Sequence, residues 1–114
     1  MSDWQAAVVF YNGRRATDPA FDVVGDLFAS RQAWNTLVER PNNWPELVKI
    51  VRSVFLVSIN QAHRMILSHP GFRPLVQAAI DANADCAAYA RQGIRKGWLG
   101  GLAEMRGDRP VIAL

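Results

Sequence analysis

The feature that most constrains this chain is the run from Asn43 to Ser68, NWPELVKIVRSVFLVSINQAHRMILS, in which apolar residues recur at helical spacing between two punctuation marks. Asn43 has the side chain of an N-cap, whose oxygen can accept from a free backbone N–H of the first turn, and Pro45 stands where a missing N–H costs nothing. Glu46 places a negative charge near the positive end of the helix dipole. His69-Pro70-Gly71 stops the run, because proline biases the preceding residue away from helix and glycine takes up the turn. About 24 residues at 1.5 Å rise give roughly 36 Å. That crosses a domain of this length, whose radius of gyration should be about 13 Å.

On a helical wheel, Leu47, Val48, Ile50, Val51, Val54, Phe55, Val57, Ile59, Ala62, Met65 and Ile66 fill an arc of about 200°. So wide an arc needs cover from several neighbours, which predicts the central helix of the fold, with Phe55 in its core. The remaining arc carries Lys49, Arg52, Ser53, Leu56, Asn60, His63 and Arg64, with Leu67 at its end and Glu46 as its acidic member. Opposite charges usually interleave on a solvated helix face. An apolar residue ringed by cations and amides instead has the pattern of an interface anchor with a polar rim.

The chain's 114 residues suit one helical domain over 1–114, able to bury roughly two thirds of its unfolded surface without metal or disulfide. Hydrophobic residues make up 50% of it and four are Trp, which excludes a disordered polar chain. No apolar stretch reaches the ~18 residues of a membrane span. The N-terminal MSDWQAAVVFYNGRR has an acidic residue where a signal peptide carries basic ones, and a single Cys86 forms no internal disulfide, so the expected compartment is the cytoplasm. The net charge of +3 is spread along the chain and gives only slight support to a nucleic-acid partner.

Around the central run, Ser2 and Gln5 have the form of a capping box for a first helix over Asp3 to Tyr11 that ends at Asn12-Gly13. Asp18 caps a second helix carrying Phe21, Val24, Leu27 and Phe28. Ser30 either caps a further helix through Trp34, Leu37 and Val38 toward Arg40 or lies within one bent helix over 18–40. Pro74 opens a helix through PLVQAAIDANADCAAYARQ, with Leu75, Ala79, Ala82, Cys86 and Ala90 on one face. Gly93, Gly97 and Gly101 recur every four residues. If helical they form a flat ridge; otherwise they belong to a glycine-rich turn before one short helix, since each interior glycine costs about 1 kcal/mol relative to alanine. Residues 107–114 read as an extended, loosely packed tail. The expected class is all-α: a small irregular bundle of four to five helices around the long helix at about 44–68.

No phosphate loop, nucleophile elbow, HExxH or CxxC occurs in the chain. Asp81 and Asp85 share a helix face without the further ligands a metal needs, and Cys86 among alanines reads as a small buried residue. No catalytic, cofactor or metal residues are therefore assigned, and no enzyme is expected. The leading expectation is a non-catalytic protein-interaction module, an adaptor, inhibitor or homo-oligomer subunit, whose partner is another protein or a second copy. Its surface would comprise Lys49, Arg52, Leu56, Asn60, His63 and Arg64, together with Trp98, Leu99 and Leu102. The alternative is nucleic-acid binding through Lys49, Arg52, Arg64, Arg91, Arg95 and Lys96. A weaker one is peripheral membrane attachment through Ile94 to Met105, where Trp98 adjoins Arg95 and Lys96.

Overall fold

Two helices that meet at a corner replace the expected single central helix. The computed structural model describes residues 3–29 and 34–113. Within them α3 spans Asn43–Phe55 and α4 spans Ile59–Ser68. Leu56 ends α3 in the left-handed region, at φ 55 and ψ 48, with its N–H on the Arg52 carbonyl. Ser58 then begins α4 with a full capping box: its hydroxyl accepts from Gln61 N at 3.2 Å and Gln61 Oε1 accepts from Ser58 N at 3.2 Å. Ser58-Ile59-Asn60-Gln61 is the S-x-x-Q signature of a helix start, buried in a run whose apolar periodicity masks it.

The corner also changes the inward direction. On α3 the buried residues include Trp44, Leu47, Val48, Val51 and Val54; on α4 they are Ala62, His63, Ile66 and Leu67. Relative to one continuous helix, the buried face of α4 is advanced by about one residue's step of 100°. His63 and Leu67, placed on the outer stripe by the sequence reading, consequently face the core. Phe55, expected in the core, is half-buried at the rim, where the Arg15 guanidinium lies 4.3 Å from its ring centroid.

The other elements are α1 (Asp3–Thr17), α2 (Val23–Phe28), α5 (Phe72–Ala82), α6 (Ala84–Lys96), β1 (Ala103–Arg106) and β2 (Arg109–Ile112). The fold is all-α apart from that small hairpin. α1 runs straight through Asn12-Gly13, so the expected stop there is corrected. The α2 cap is Asp22, whose carboxylate accepts from Gly25 N, rather than Asp18, which closes a local turn onto Ala20 N. Residues Ser2 and Ser30, on which two sequence expectations depend, lie outside the described residues. From Trp34 to Arg40 the chain runs in turns, not helix, yet delivers Trp34 and Leu37 to the core.

The expected fourth helix is likewise two. Asn83 leaves helical geometry at φ −132 and ψ 121, and its side chain caps α6 by accepting from Asp85 N and Cys86 N. α6 ends at Gly97, at φ 81, and Gly100 and Gly101 also have positive φ, which excludes the helical glycine ridge; a strand rather than a short helix follows them. The expected loose tail is instead β2, paired antiparallel to β1 with Ala103 opposite Ile112 and Arg106 opposite Arg109. Gly107 at φ 67 followed by Asp108 makes the two-residue turn. The hairpin is fastened to α5 by Gln77, which accepts from Ile112 N at 2.8 Å, and by an Arg109–Asp81 ion pair at 2.8 Å.

The main helix packings follow chain order: α1 on α3, α3 on α4, α4 on α5, α5 on α6, with the hairpin on α5 and α6. Such a row is long in one direction, 47 × 25 × 25 Å. A left-handed conformation costs a non-glycine residue about 1 kcal/mol or more, and Leu56, 89% exposed, recovers little of it by burial. Leu56→Gly should therefore raise stability by about 0.5–1 kcal/mol, while Ser58→Ala should lower it by about 1 kcal/mol. Chemical denaturation of both variants checks the corner; a destabilised Leu56→Gly would show that the leucine packs.

Candidate interaction surface

The nine residues expected on one surface separate into three groups. Lys49, Arg52 and Leu56 remain exposed on α3. Lys49 Nζ lies 5.6 Å from the Trp4 ring centroid, and Arg52 Nε donates to the Val57 carbonyl at 3.4 Å across the corner. A groove of about 260 Å³ is lined by Trp4, Lys49, Arg52, Ser53 and Val57. Asn60, Arg64 and Trp98 form a second group, because α4 is tied to the turn after α6: Asn60 Nδ2 donates to the Gly97 carbonyl at 2.8 Å and Arg64 Nη2 to that of Gly100 at 3.5 Å. Trp98 is half-buried, with its ring 5.2 Å from Tyr89 and Lys96 Nζ 5.8 Å above it.

The third group is a correction. His63, Leu99 and Leu102 are 0%, 1% and 7% exposed, so none of them belongs to a surface. Leu99 and Leu102 turn inward because positive-φ glycines reverse the chain between α6 and β1, a path that helical spacing does not describe. Their burial takes two apolar residues of the 94–105 segment away from solvent, while Met105 stays exposed and Ile94 and Trp98 half-buried.

His63 sits against Trp44 and Tyr89, with ring centroids 6.2 and 6.3 Å away. Its Nδ1 faces the Ile59 carbonyl at 2.9 Å, which assigns the proton to that nitrogen. Nε2, like the Trp44 Nε1, has no hydrogen-bond partner among the described residues. Burial pushes the imidazole pKa down to about 4, only partly opposed by the Ile59 bond. Burial likewise raises Tyr89 to about 12.

The remaining chemistry-bearing residues are engaged locally. Asp81 is held below the usual carboxylate range by its hydrogen bonds from Arg109 and Gln77. Cys86 is buried against the Leu37 carbonyl, its thiol pushed up by burial and then by the Asp85 charge. Among the described residues no three His, Cys, Asp or Glu side chains gather as a metal site, and no helix is long and apolar enough to cross a membrane.

A further surface lies on α1, where Trp4, Ala7, Val8, Phe10 and Tyr11 do not all share one face. Ala7 and Tyr11 are buried, and Trp4 and Val8 half-buried. On the opposite side Ala6, Val9, Phe10 and Gly13 recur at i, i+3, i+4 and i+7, all exposed, Val9 at 61% and Phe10 at 55%. No charged residue falls between Asp3 and Arg14. A helix apolar on both faces normally has cover on both. The uninterrupted run Ala6-Ala7-Val8-Val9-Phe10-Tyr11 carries this signal, since no single stripe can bury six consecutive apolar positions.

Comparison with family models, with curated proteins and with solved structures returns no match.

The buried imidazole makes stability depend on pH. With a folded value near 4 against 6.5 unfolded, His63 is neutral in both states above pH 6.5 and contributes no slope there. Between pH 6.5 and 4 the unfolded chain binds the proton first, so stability should fall by about 1.4 kcal/mol per pH unit, levelling off below pH 4 after a loss of about 3 kcal/mol. Denaturation at pH 7 and 4.5, with His63→Phe as the comparison, measures this. A His63 resonance titrating near 6.5 in the folded protein would show that the ring is solvated.

Proposed function

We propose that this chain is a non-catalytic helical protein-interaction module whose contact surface is the outer face of α1. The observation that carries the reading is Val9 and Phe10, two large apolar side chains more than half exposed on a face with no charge along it. Soluble proteins seldom leave contiguous apolar surface uncovered without a use for it, and aromatic anchors in an uncharged centre are what interface cores contain. Trp4, Gln5, Val8 and Val9 line an adjoining groove of about 440 Å³, which extends the apolar surface toward α3. Adaptor, inhibitor and subunit of a homo-oligomer are all uses of such a face, and a cytoplasmic setting accords with the sequence reading.

Nucleic-acid binding is the second reading, favoured by one feature: the bonds from α4 to the 97–101 turn bring Arg64 beside the segment carrying Lys96 and Trp98. The two readings respond to salt in opposite ways. Complex formation through α1 should be abolished by Val9→Glu with Phe10→Glu and change little between 50 and 200 mM salt. Binding to phosphate should fall steeply over that range and lose about one unit of salt slope per removed cation, as in Arg64→Ala or Lys96→Ala. Affinity capture from the native host at both salt concentrations, with the α1 double variant beside wild type, decides between them. Capture of the same partners by wild type and variant would remove α1 from the account.

A further inference from the structure

We infer that the outer face of α1 pairs with the same face of a second copy, antiparallel, about a two-fold axis passing between Val9 and Phe10. This rests on the proposed use of that face and adds the identity of its occupant. The stripe is self-complementary in size. Residues whose numbers sum to 19 meet across such an axis, so Val9 faces Phe10 of the partner subunit and Ala6 faces the partner's Gly13. Small residues therefore flank the large central pair on both sides and let the two backbones approach, while the large side chains pack at the axis.

Charge agrees with the same arrangement. Asp3 and Arg14 lie at opposite ends of α1 and on the same edge of the stripe, next to Phe10 on the helical wheel, and both are exposed. Antiparallel helices bring like edges together, so Asp3 of each copy comes within a long side chain's reach of the partner's Arg14. A parallel pairing instead sets opposite edges together, so Asp3 and Arg14 of each copy lie on the far side of the seam from those of the partner subunit and neither charge is paired. Charge thus selects both the orientation and a partner that is its own complement. The fold leaves the face accessible, because the packing row places α1 at one end, with α3 against its inner side.

Fifteen residues of helix present a stripe about 22 Å long and about 10 Å wide, roughly 220 Å² against about 800 Å² per partner in a standard interface, so the dimer should be weak and reversible.

Sedimentation equilibrium from about 5 to 500 µM should show a monomer–dimer equilibrium that Phe10→Asp weakens by more than tenfold. Asp3→Arg and Arg14→Asp should each weaken it several-fold, and their combination should restore it to within about twofold of wild type. Orientation is read by cysteine pairs. Gly13 has no atom within 4 Å of an added Cβ and Ala6 is exposed, so Ala6→Cys and Gly13→Cys should both fold, as checked by circular dichroism. Under mild oxidation a mixture of the two should give the mixed disulfide dimer in excess over either variant alone. Equal cross-linking of each variant with itself would overturn the antiparallel arrangement. A monomer throughout the concentration range would overturn self-pairing; if the Val9→Glu, Phe10→Glu variant then still loses captured protein, the interaction reading stands without it.

Discussion

The corner at Leu56–Ser58 is the constraint on which the rest of the structure depends. A continuous helix through 43–68 would hold one inward direction, leaving His63 and Leu67 outside. By ending α3 on a left-handed leucine and restarting α4 on the Ser58–Gln61 capping box, the chain sets both residues into the core, His63 beside Trp44 and Tyr89. The same turn brings Asn60 and Arg64 over the 97–101 loop, where their bonds to the Gly97 and Gly100 carbonyls fix the loop that feeds the hairpin. Fully buried Leu99 then closes the end of the core next to Gly93, whose missing Cβ leaves room: an added one would lie 3.0 Å from Leu99 Cδ1.

That arrangement explains what was legible in the sequence. The all-α class followed from periodicity, and the apolar positions of α3 from Leu47 to Val54 were correctly placed because they lie before the corner, whereas Phe55 beside it was not. The breaks were misread where a local polar signal competed with a long apolar pattern. Ser58-x-x-Gln61 and Asn83 cap helices inside runs that look continuous, whereas Asn12-Gly13, a common stop, lies within α1 because Tyr11 and Arg15 on either side are anchored to the rest of the fold. The hairpin was missed although Gly107-Asp108 is a fitting two-residue turn, since β1 is exposed after Ala103 and neither strand shows clear apolar alternation.

For the candidate surface, exposure was legible at Lys49, Arg52, Leu56 and Arg64 and misjudged at His63, Leu99 and Leu102. The errors share one cause. Each of the three lies after a change of direction, at the corner or at the positive-φ glycines, and a helical wheel extended past such a point assigns the wrong face. The α1 face was hidden for a different reason: apolar residues on both sides of a helix weaken its amphipathic contrast, and the outer set is recognised only once the inner set has been seen to pack.

Because α1 is apolar on both sides, hydrophobic burial alone does not decide which side faces α3; turned by half a revolution, Val9 and Phe10 would be the buried pair. Polar anchors make the choice. Tyr11 donates to Asp26 at 2.6 Å, with its pKa raised by burial and by that carboxylate so that the phenol keeps its proton. Arg15 donates to the Val54 carbonyl at 3.0 Å while its guanidinium covers Phe55. Each is lost if α1 rotates, and hydrogen bonds to a charged partner contribute about 1.5–3 kcal/mol apiece. Directional bonds therefore hold outward a face that non-directional burial would as readily have turned inward, which is the physical condition for an apolar stripe to persist as a contact surface.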